Sequence, residues 1–171
     1  MATAALAALG FTAPQASAAE TASVVDLVAP QADEETRRIA AEDPQAVQAA
    51  ATLCGSGYEL SDADQLPETD WRLGTLFLYL KAGAGSSWRG CQIFDNNTGS
   101  TKYMKLKVCD NKTDNPPCDT DEGNFSQYAG PVYTGTQWKY PQCARVTAIM
   151  KNSQSSGTAL IDAVRVAGSC N

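Results

Sequence analysis

The sequence predicts an all-β fold, either a small antiparallel β-sandwich or an open barrel, stabilised by disulfides. From Cys54 onward, short apolar runs alternate with Gly, Asn, Asp, Ser and Pro, a pattern typical of strands joined by turns. Twelve of the thirteen aromatic residues lie in this region. All six cysteines lie there too, and an even number of cysteines in a chain without histidine favours a disulfide framework in an oxidising compartment.

The first 18 residues predict a signal peptide. Residues 2–13 are small and apolar, too few to span a bilayer, and Ala16-Ser17-Ala18 has the small-x-small form that signal peptidase cleaves. No basic residue precedes Arg37, which departs from the usual pattern of export signals. Because the short apolar segment is followed by a cleavage motif, we expect a secreted protein that has no membrane contact after cleavage.

Residues 19–53 are acidic and hold no aromatic residue, so we expect a propeptide or linker ahead of a β domain at 54–171. Two short helices are predicted in this leader, at 33–41 and 44–51. Asp33 and Asp43 are suitable N-caps, and Pro44 suits the first position of the second helix. The segment offers too little apolar surface for a core of its own, and we expect it to be partly helical or disordered.

Six strands are predicted in the β domain, several of them with alternating polarity. They are residues 73–81, 88–94, 102–109, 127–134, 143–151 and 158–167. In the first strand Leu76, Leu78 and Leu80 fall on one face, while Phe77 and Tyr79 fall on the other. Both faces of this strand are therefore expected to be covered, or one of them is a binding surface.

The charge of the chain is uneven. Residues 1–53 carry seven acidic residues against two basic ones, a net charge of −5, whereas residues 54–171 carry twelve against eleven. A nearly neutral domain with interspersed charges has neither the basic footprint of a nucleic-acid binder nor a polybasic patch for anionic lipid. Neither nucleic acid nor a membrane is expected as a partner.

Six cysteines allow fifteen pairings, and one pair is favoured by its spacing. Cys109 and Cys118 enclose a short insert rich in Asp, Asn and Pro, so a disulfide between them would close a loop. For the other four cysteines we favour Cys54 with Cys91 and Cys143 with Cys170.

The sequence offers little material for catalysis or metal binding. Without histidine, the Ser-His-Asp and Cys-His arrangements are excluded, and oxidised cysteines would not act as nucleophiles. Asp119, Asp121 and Glu122 form an acidic turn that could hold calcium, but they lack the order of an EF-hand loop. We expect no enzyme, no cofactor and no metal.

Aromatic residues near Gly and Pro are the candidate binding residues. They are Trp88, Tyr128, Tyr133, Trp138 and Tyr140. Exposed rings with a polar tip can stack on sugars or contact proteins, whereas the alternative is that they fill the core of a small sandwich. Trp138 and Tyr140 lie in a predicted loop, so we expect these two to be exposed.

Two motifs carry a resemblance to a known family. Cys54-Gly55-Ser56-Gly57-Tyr58 and Tyr128-Ala129-Gly130-Pro131-Val132-Tyr133, in this order and with cysteines nearby, resemble the spore-associated protein A group of secreted actinobacterial proteins. The resemblance covers residues 54–171 and implies export and accumulation at the cell or spore surface or in the medium, with no catalytic residues to carry over. Cys109 and Cys118 are additional to the four-cysteine pattern of that group, and the residues after Cys143 depart from it.

The function expected from these observations is that of a non-enzymatic extracellular protein associated with the spore or cell envelope, with cell-wall or spore-surface polysaccharide as a partner. An alternative is a small carbohydrate-binding module that acts through exposed aromatics. A third is a secreted protease inhibitor that presents the rigid loop between Cys109 and Cys118.

Overall fold

The computed structural model describes residues 24–68, 70–83, 88–111, 114–135, 138 and 143–166. In this part of the chain, three helices precede eight strands. They are α1 (Val24–Leu27), α2 (Glu34–Glu42), α3 (Pro44–Cys54), β1 (Glu59–Glu68), β2 (Trp71–Ala82), β3 (Trp88–Asp95), β4 (Lys102–Cys109), β5 (Cys118–Phe125), β6 (Tyr128–Tyr133), β7 (Arg145–Lys151) and β8 (Ala159–Val166). None of these helices is long and apolar enough to cross a membrane.

The strands form two antiparallel sheets of four strands each, in the orders β1-β2-β3-β6 and β5-β4-β7-β8. A single hydrophobic cluster draws residues from both sheets, so the sheets pack face to face as a sandwich. The predicted antiparallel β-sandwich is thereby confirmed. All six predicted strands are present, with ends within two residues of those expected.

The sandwich core follows from the alternation that the sequence shows. Leu76, Leu78 and Leu80 of β2 point into the sandwich, where Met104 and Leu106 of β4 meet them from the other sheet. Because side chains of a strand alternate between faces, Phe77 and Tyr79 must point the opposite way. They lie in a second hydrophobic cluster on the outer face of the first sheet.

The helices cover this outer face. Ile39 of α2 and Val47 of α3 are fully buried against Phe77 and Tyr79. The Tyr79 hydroxyl donates to the Val47 carbonyl oxygen over 2.7 Å, and burial raises the pKa of Tyr79. Both faces of β2 are therefore covered, which is the first of the two alternatives that the sequence left open.

The two leader helices form where the sequence predicts them. Asp33 accepts a hydrogen bond from the Thr36 amide at the start of α2, and Asp43 accepts one from the Ala46 amide at the start of α3. Pro44 occupies the first turn of α3, as expected from its fixed φ and missing N–H.

The leader packs on the β domain instead of forming a core of its own. Residues 28–29 of the leader also form backbone contacts with β1. Val28 forms a parallel bridge with Leu60, and the Ala29 amide donates to the Leu60 carbonyl oxygen. The Thr36 hydroxyl accepts from the Ala63 amide of β1. The net charge and the lack of aromatic residues gave no sign of this packing. It depends on a few apolar side chains that lie on one face of each helix. The boundary at 53/54 and the removal of the leader stay predictions.

Two disulfides join cysteines that the structure describes at both ends, with the pairings that the sequence favoured. Cys54 at the end of α3 is bonded to Cys91 of β3, and Cys109 is bonded to Cys118, its partner in the register of β4 and β5. Cys143 is also disulfide-bonded, and Cys170, its expected partner, lies outside the described residues. The first bond fixes the helical layer to the sheet, and the second closes a hairpin.

Candidate functional site

The two motifs that carry the family resemblance meet at one place in the fold. Gly55 and Gly57, with φ of 93° and 79°, reverse the chain after α3 and deliver Tyr58. These φ values lie in the left-handed region that favours glycine. Tyr133 ends β6, and its ring centroid lies 6.1 Å from that of Tyr58, with the ring planes at 55°. The pair has the tilted geometry of interacting aromatic rings.

Backbone contacts hold Tyr133 in this position. It pairs in register with Cys91, whose disulfide brings Cys54 alongside. The Tyr133 hydroxyl lies 3.3 Å from both the Leu53 and the Cys54 carbonyl oxygens, which share its one hydrogen as acceptors. These carbonyls belong to the last turn of α3, where backbone acceptors lack helical partners. The ring is therefore fixed at both ends, by its strand and by the helix terminus.

Cationic side chains surround the tyrosine pair. The Lys81 ammonium donates to the Ser56 carbonyl oxygen over 2.6 Å and lies 5.6 Å from the Tyr58 ring centroid, within cation–π range. Arg89 of β3 also faces this space, and so does Asp119 of β5. Together Tyr58, Lys81, Arg89, Asp119 and Tyr133 define a cleft of about 640 Å³, which we call the tyrosine cleft.

The electrostatics of the tyrosine cleft favour hydrogen-bond donation. Burial raises the pKa of Tyr58, and the neighbouring Tyr133 adds to the rise while Arg89 opposes it. Tyr58 thus keeps its proton at neutral pH. Two cations face one carboxylate among the described lining residues, so the cleft suits a neutral or anionic ligand that offers acceptor oxygens.

The groups that line the tyrosine cleft are suited to binding a polar ligand. The aromatic faces provide stacking surface, and the Lys81 ammonium, the Arg89 guanidinium and the Tyr58 phenol can donate hydrogen bonds to a ligand, since the Tyr133 hydroxyl is engaged by α3.

The predicted binding aromatics differ in position and in exposure. Tyr133 lies in the tyrosine cleft and is 40% exposed, and Trp88, beside Arg89 at the start of β3, is 41% exposed. Tyr128 is half-buried and packs on the outer cluster, where it lines an apolar pocket of about 280 Å³ against α3. Tyr140 lies outside the described residues.

Trp138 is not the exposed residue that its loop position suggested. It is partly buried and packs against the sandwich core. Its indole ring lies over Gly135, where a Cβ atom would come within 2.5 Å of Nε1. The absence of a side chain at Gly135 lets the Trp138 ring approach the backbone and lie against the sandwich.

The acidic residues considered for calcium do not converge. They lie on β5, so Asp121 and Glu122 point to opposite faces of the sheet. Asp121 accepts from the Gly130 amide over 2.7 Å, whereas Glu122 pairs with Lys105 over 2.8 Å. Hydrogen bonds lower the pKa of Glu122, and the bond from Lys105 has a larger effect than the bond from Tyr103. Among the described residues, no group of three or more metal-ligating side chains occurs.

The loop proposed for protease inhibition is a hairpin clip. Cys109 and Cys118 lie opposite each other, and just beyond them the Asp110 amide donates to the Pro117 carbonyl over 3.2 Å. The clip stabilises the end of the β4–β5 hairpin, and the inhibitor interpretation stays a prediction.

Sequence reasoning missed Tyr58, Lys81 and Arg89. Each lies on a different element, and pattern alone does not bring such elements together. The available signal was the favoured pairing of Cys54 with Cys91, since Tyr58 follows the first cysteine closely and Arg89 precedes the second. Combining that pairing with the antiparallel β2–β3 hairpin would have placed all three residues at one end of the first sheet.

Comparison with curated proteins found a similarity to a protein named Spore-associated protein A from Streptomyces coelicolor, with 30% identity over 86 residues. The aligned region covers 50% of this chain and 50% of the relative, so the chain spans about half the length of the curated relative that it matches. This finding supports the family relationship that the two motifs suggested. No protein-family model matches the chain, and no solved structure matches it.

Proposed function

We propose that the protein is a non-enzymatic extracellular protein that associates with the spore or cell envelope. The observation that carries this proposal is the similarity to Spore-associated protein A. The disulfides support it, because such bonds persist in oxidising surroundings outside the cytoplasm. A sandwich stapled in this way resists local unfolding, which suits a protein exposed at a surface.

The tyrosine cleft is the surface through which we propose this association. It combines stacking area from Tyr58 and Tyr133 with the charges of Lys81 and Arg89. An envelope polysaccharide presents the complementary chemistry, with C–H faces for the rings and oxygen acceptors for the donors. Carbohydrate binding is thus the second candidate function, and it would provide the means for the first.

Co-sedimentation tests both levels of the proposal. The purified, oxidised protein is mixed with washed spores, with isolated peptidoglycan and with insoluble polysaccharides, and the pelleted fraction is measured across salt concentrations. We expect the wild-type protein to pellet with an envelope fraction. Tyr58→Ala together with Tyr133→Ala should lower the pelleted fraction at least tenfold.

Trp71→Ala is the matched control. Trp71 is 66% exposed and begins β2, whereas Lys81 lies near the other end of that strand. The substitution therefore removes an exposed ring without changing the tyrosine cleft. Equal loss of binding in both variants would reject the cleft as the contact surface. Failure of the wild-type protein to pellet with any envelope fraction would reject the envelope role itself.

A further inference from the structure

Two cations lie opposite each other where β2 ends and β3 begins. Lys81 of β2 pairs in register with Arg89 of β3, two positions along from the pair of Tyr79 and Cys91. Because side chains alternate along a strand, Lys81 and Arg89 share the outer face of the first sheet with that pair. Residues directly opposite each other in an antiparallel pair have Cβ atoms about 5 Å apart, and like charges in such positions destabilise the sheet. An anion bound between the two cations would relieve this repulsion.

The described side chains do not neutralise this pair of cations. Among the residues that the structure describes, no carboxylate forms an ion pair with Lys81 or with Arg89. Asp119 lines the tyrosine cleft as well, so two positive charges face one negative charge there. Arg89 is exposed, and its guanidinium has no described hydrogen-bond partner. Arg89 therefore presents unused N–H donors to a ligand in the cleft.

The turn after α3 holds Lys81 in the tyrosine cleft. The Lys81 ammonium donates to the Ser56 carbonyl oxygen over 2.6 Å and lies 5.6 Å from the Tyr58 ring centroid. A Cβ atom at Gly57 would come within 3.2 Å of Lys81 Cε, so a side chain at that position would crowd the lysine. An ammonium group carries three N–H donors, and the bond to Ser56 uses one of them. Lys81 is therefore a positioned cation that can still donate to a ligand.

We propose that the tyrosine cleft binds an oxyanion carried on a sugar ring, with Arg89 and Lys81 as its cationic contacts. The planar guanidinium of Arg89 matches a carboxylate or a phosphate through two parallel N–H donors, and Lys81 adds a point charge. The C–H face of the sugar would lie on the Tyr58 ring. The oxyanion can be the carboxylate of a uronic acid or the phosphate of a phosphorylated polysaccharide. This inference rests on the proposed carbohydrate contact and narrows it to acidic polymers.

Three probes that share one ring test the proposal on the full, oxidised chain. Methyl glucuronide carries the carboxylate, glucose phosphorylated at its primary hydroxyl carries the phosphate, and methyl glucoside is the neutral control. Binding is followed by the backbone NMR signals of Tyr58 and Tyr133 at low and at high salt. We expect at least one acidic probe to bind at millimolar concentration in low salt and to bind more weakly as salt is added, because salt screens exposed charges. Methyl glucoside should bind at least about tenfold more weakly than that acidic probe.

Variants that change charge in opposite directions identify the contacts. Arg89→Gln should lower the affinity for the acidic probe about tenfold, and Arg89→Lys should restore part of it. Asp119→Asn should raise the affinity, because it removes a negative charge from the tyrosine cleft. Lys107→Gln is the matched control, since it removes one positive charge from β4 in the second sheet, and Lys107 does not line the cleft. It should bind as the wild type does, and circular dichroism checks that every variant is folded.

The outcomes separate this inference from the envelope proposal. Binding of one acidic probe identifies the source of the oxyanion, and binding of both supports the shared chemistry. Absence of binding by both acidic probes would overturn the inference, as would equal affinity for the acidic and neutral probes or equal affinity of the wild type and Arg89→Gln. A protein that pellets with an envelope fraction but ignores the acidic probes keeps the envelope role and loses this inference. One that binds an acidic probe but pellets with no envelope fraction does the reverse.

Discussion

At the scale of single residues, Asp95 is the carboxylate with the most constrained surroundings. It ends β3, accepts a hydrogen bond from the Thr75 amide, and lies 3.4 Å from the Arg72 guanidinium. Arg72 also contacts Asp43, the N-cap of α3, over 2.7 Å. Burial raises the pKa of Asp95 to about 6, against the opposing effects of the Thr75 amide and Arg72.

The raised pKa makes stability depend on pH. The unfolded chain ionises Asp95 near its ordinary pKa of 3.8, whereas the folded protein does so near 6, so protons favour the folded state between these values. The contribution of Asp95 to stability is therefore greatest below the lower pKa and is lost as the pH rises through about 6. With about 1.4 kcal/mol for each pKa unit, the change amounts to at most about 3 kcal/mol.

Asp95→Asn should remove this dependence. Between pH 7 and pH 4, the free energy of unfolding of the wild type should rise relative to that of the variant, by up to about 3 kcal/mol. Urea unfolding at several pH values measures it. Asp162→Asn, which changes an exposed aspartate of β8, is the control and should keep the wild-type trend. Parallel pH profiles for wild type and Asp95→Asn would contradict the assignment.

At the scale of elements, the two disulfides whose cysteines are both described constrain segments of different length. Cys54 and Cys91 are 37 residues apart in sequence, whereas Cys109 and Cys118 are 9 apart. In the chain-entropy model, closing a loop lowers the entropy of the denatured state. The resulting stabilisation is roughly 3.8 kcal/mol for the Cys54–Cys91 loop and roughly 2.6 kcal/mol for the Cys109–Cys118 loop. The longer loop also includes the junction between α3 and the sheet, so its bond matters to packing as well.

Alanine replacement of each cysteine pair should therefore give unequal losses. We expect the Cys54/Cys91 double variant to lose about 1 kcal/mol more than the Cys109/Cys118 double variant in denaturant unfolding. The Cys54/Cys91 variant should also release the tyrosine cleft, seen as altered tyrosine fluorescence. A greater loss for the shorter loop would show that strain or residual structure governs the bonds instead.

Elements also show where the sequence is informative and where it is not. The ends of β4 are predicted correctly because Met104, Leu106 and Val108 alternate cleanly with polar residues. By contrast β1 was missed, since register shifts at Leu60/Asp62 and Leu66/Pro67 break its alternation.

Strand β5 was missed for a different reason. Asp121 and Gly123 occupy its inward face and carry no apolar signal, so its segment reads as an acidic turn. The strand exists because β4 supplies its hydrogen bonds along the full length of the hairpin. The same limit applies to the candidate site. Local sequence predicts Tyr133 as a binding residue, whereas Tyr58, Lys81 and Arg89 lie beside it only because of the tertiary fold.

At the scale of the whole molecule, three layers depend on one another. The middle sheet is covered on one side by the second sheet and on the other by α2 and α3. Phe77, Tyr79 and Ile93 have at most 1% of their surface exposed beneath the helices. Removing the helical layer would uncover an apolar face of a kind that soluble proteins rarely present.

A chain that begins at Cys54 should therefore be less soluble and less stable than one that begins at Val24. We expect the shorter chain to bind a hydrophobic dye such as ANS and to melt at a lower temperature, by more than 5 °C on the usual scaling of roughly 4–8 °C per kcal/mol. If the shorter chain is equally stable and dye-free, residues 24–53 are a dispensable propeptide, as first expected from composition.

The acidic outer strand β5 has one more consequence, for encounters between copies of this protein. An edge strand exposes unpaired backbone groups that invite another strand, and proteins commonly guard such edges with charge. Asp119, Asp121 and Glu122 place three carboxylates within eight residues of this edge, and the pairing of Glu122 with Lys105 still leaves the strand with a negative charge. Two molecules that approach each other through β5 would therefore repel. We expect crowded copies of the protein not to polymerise by pairing of their β5 edges.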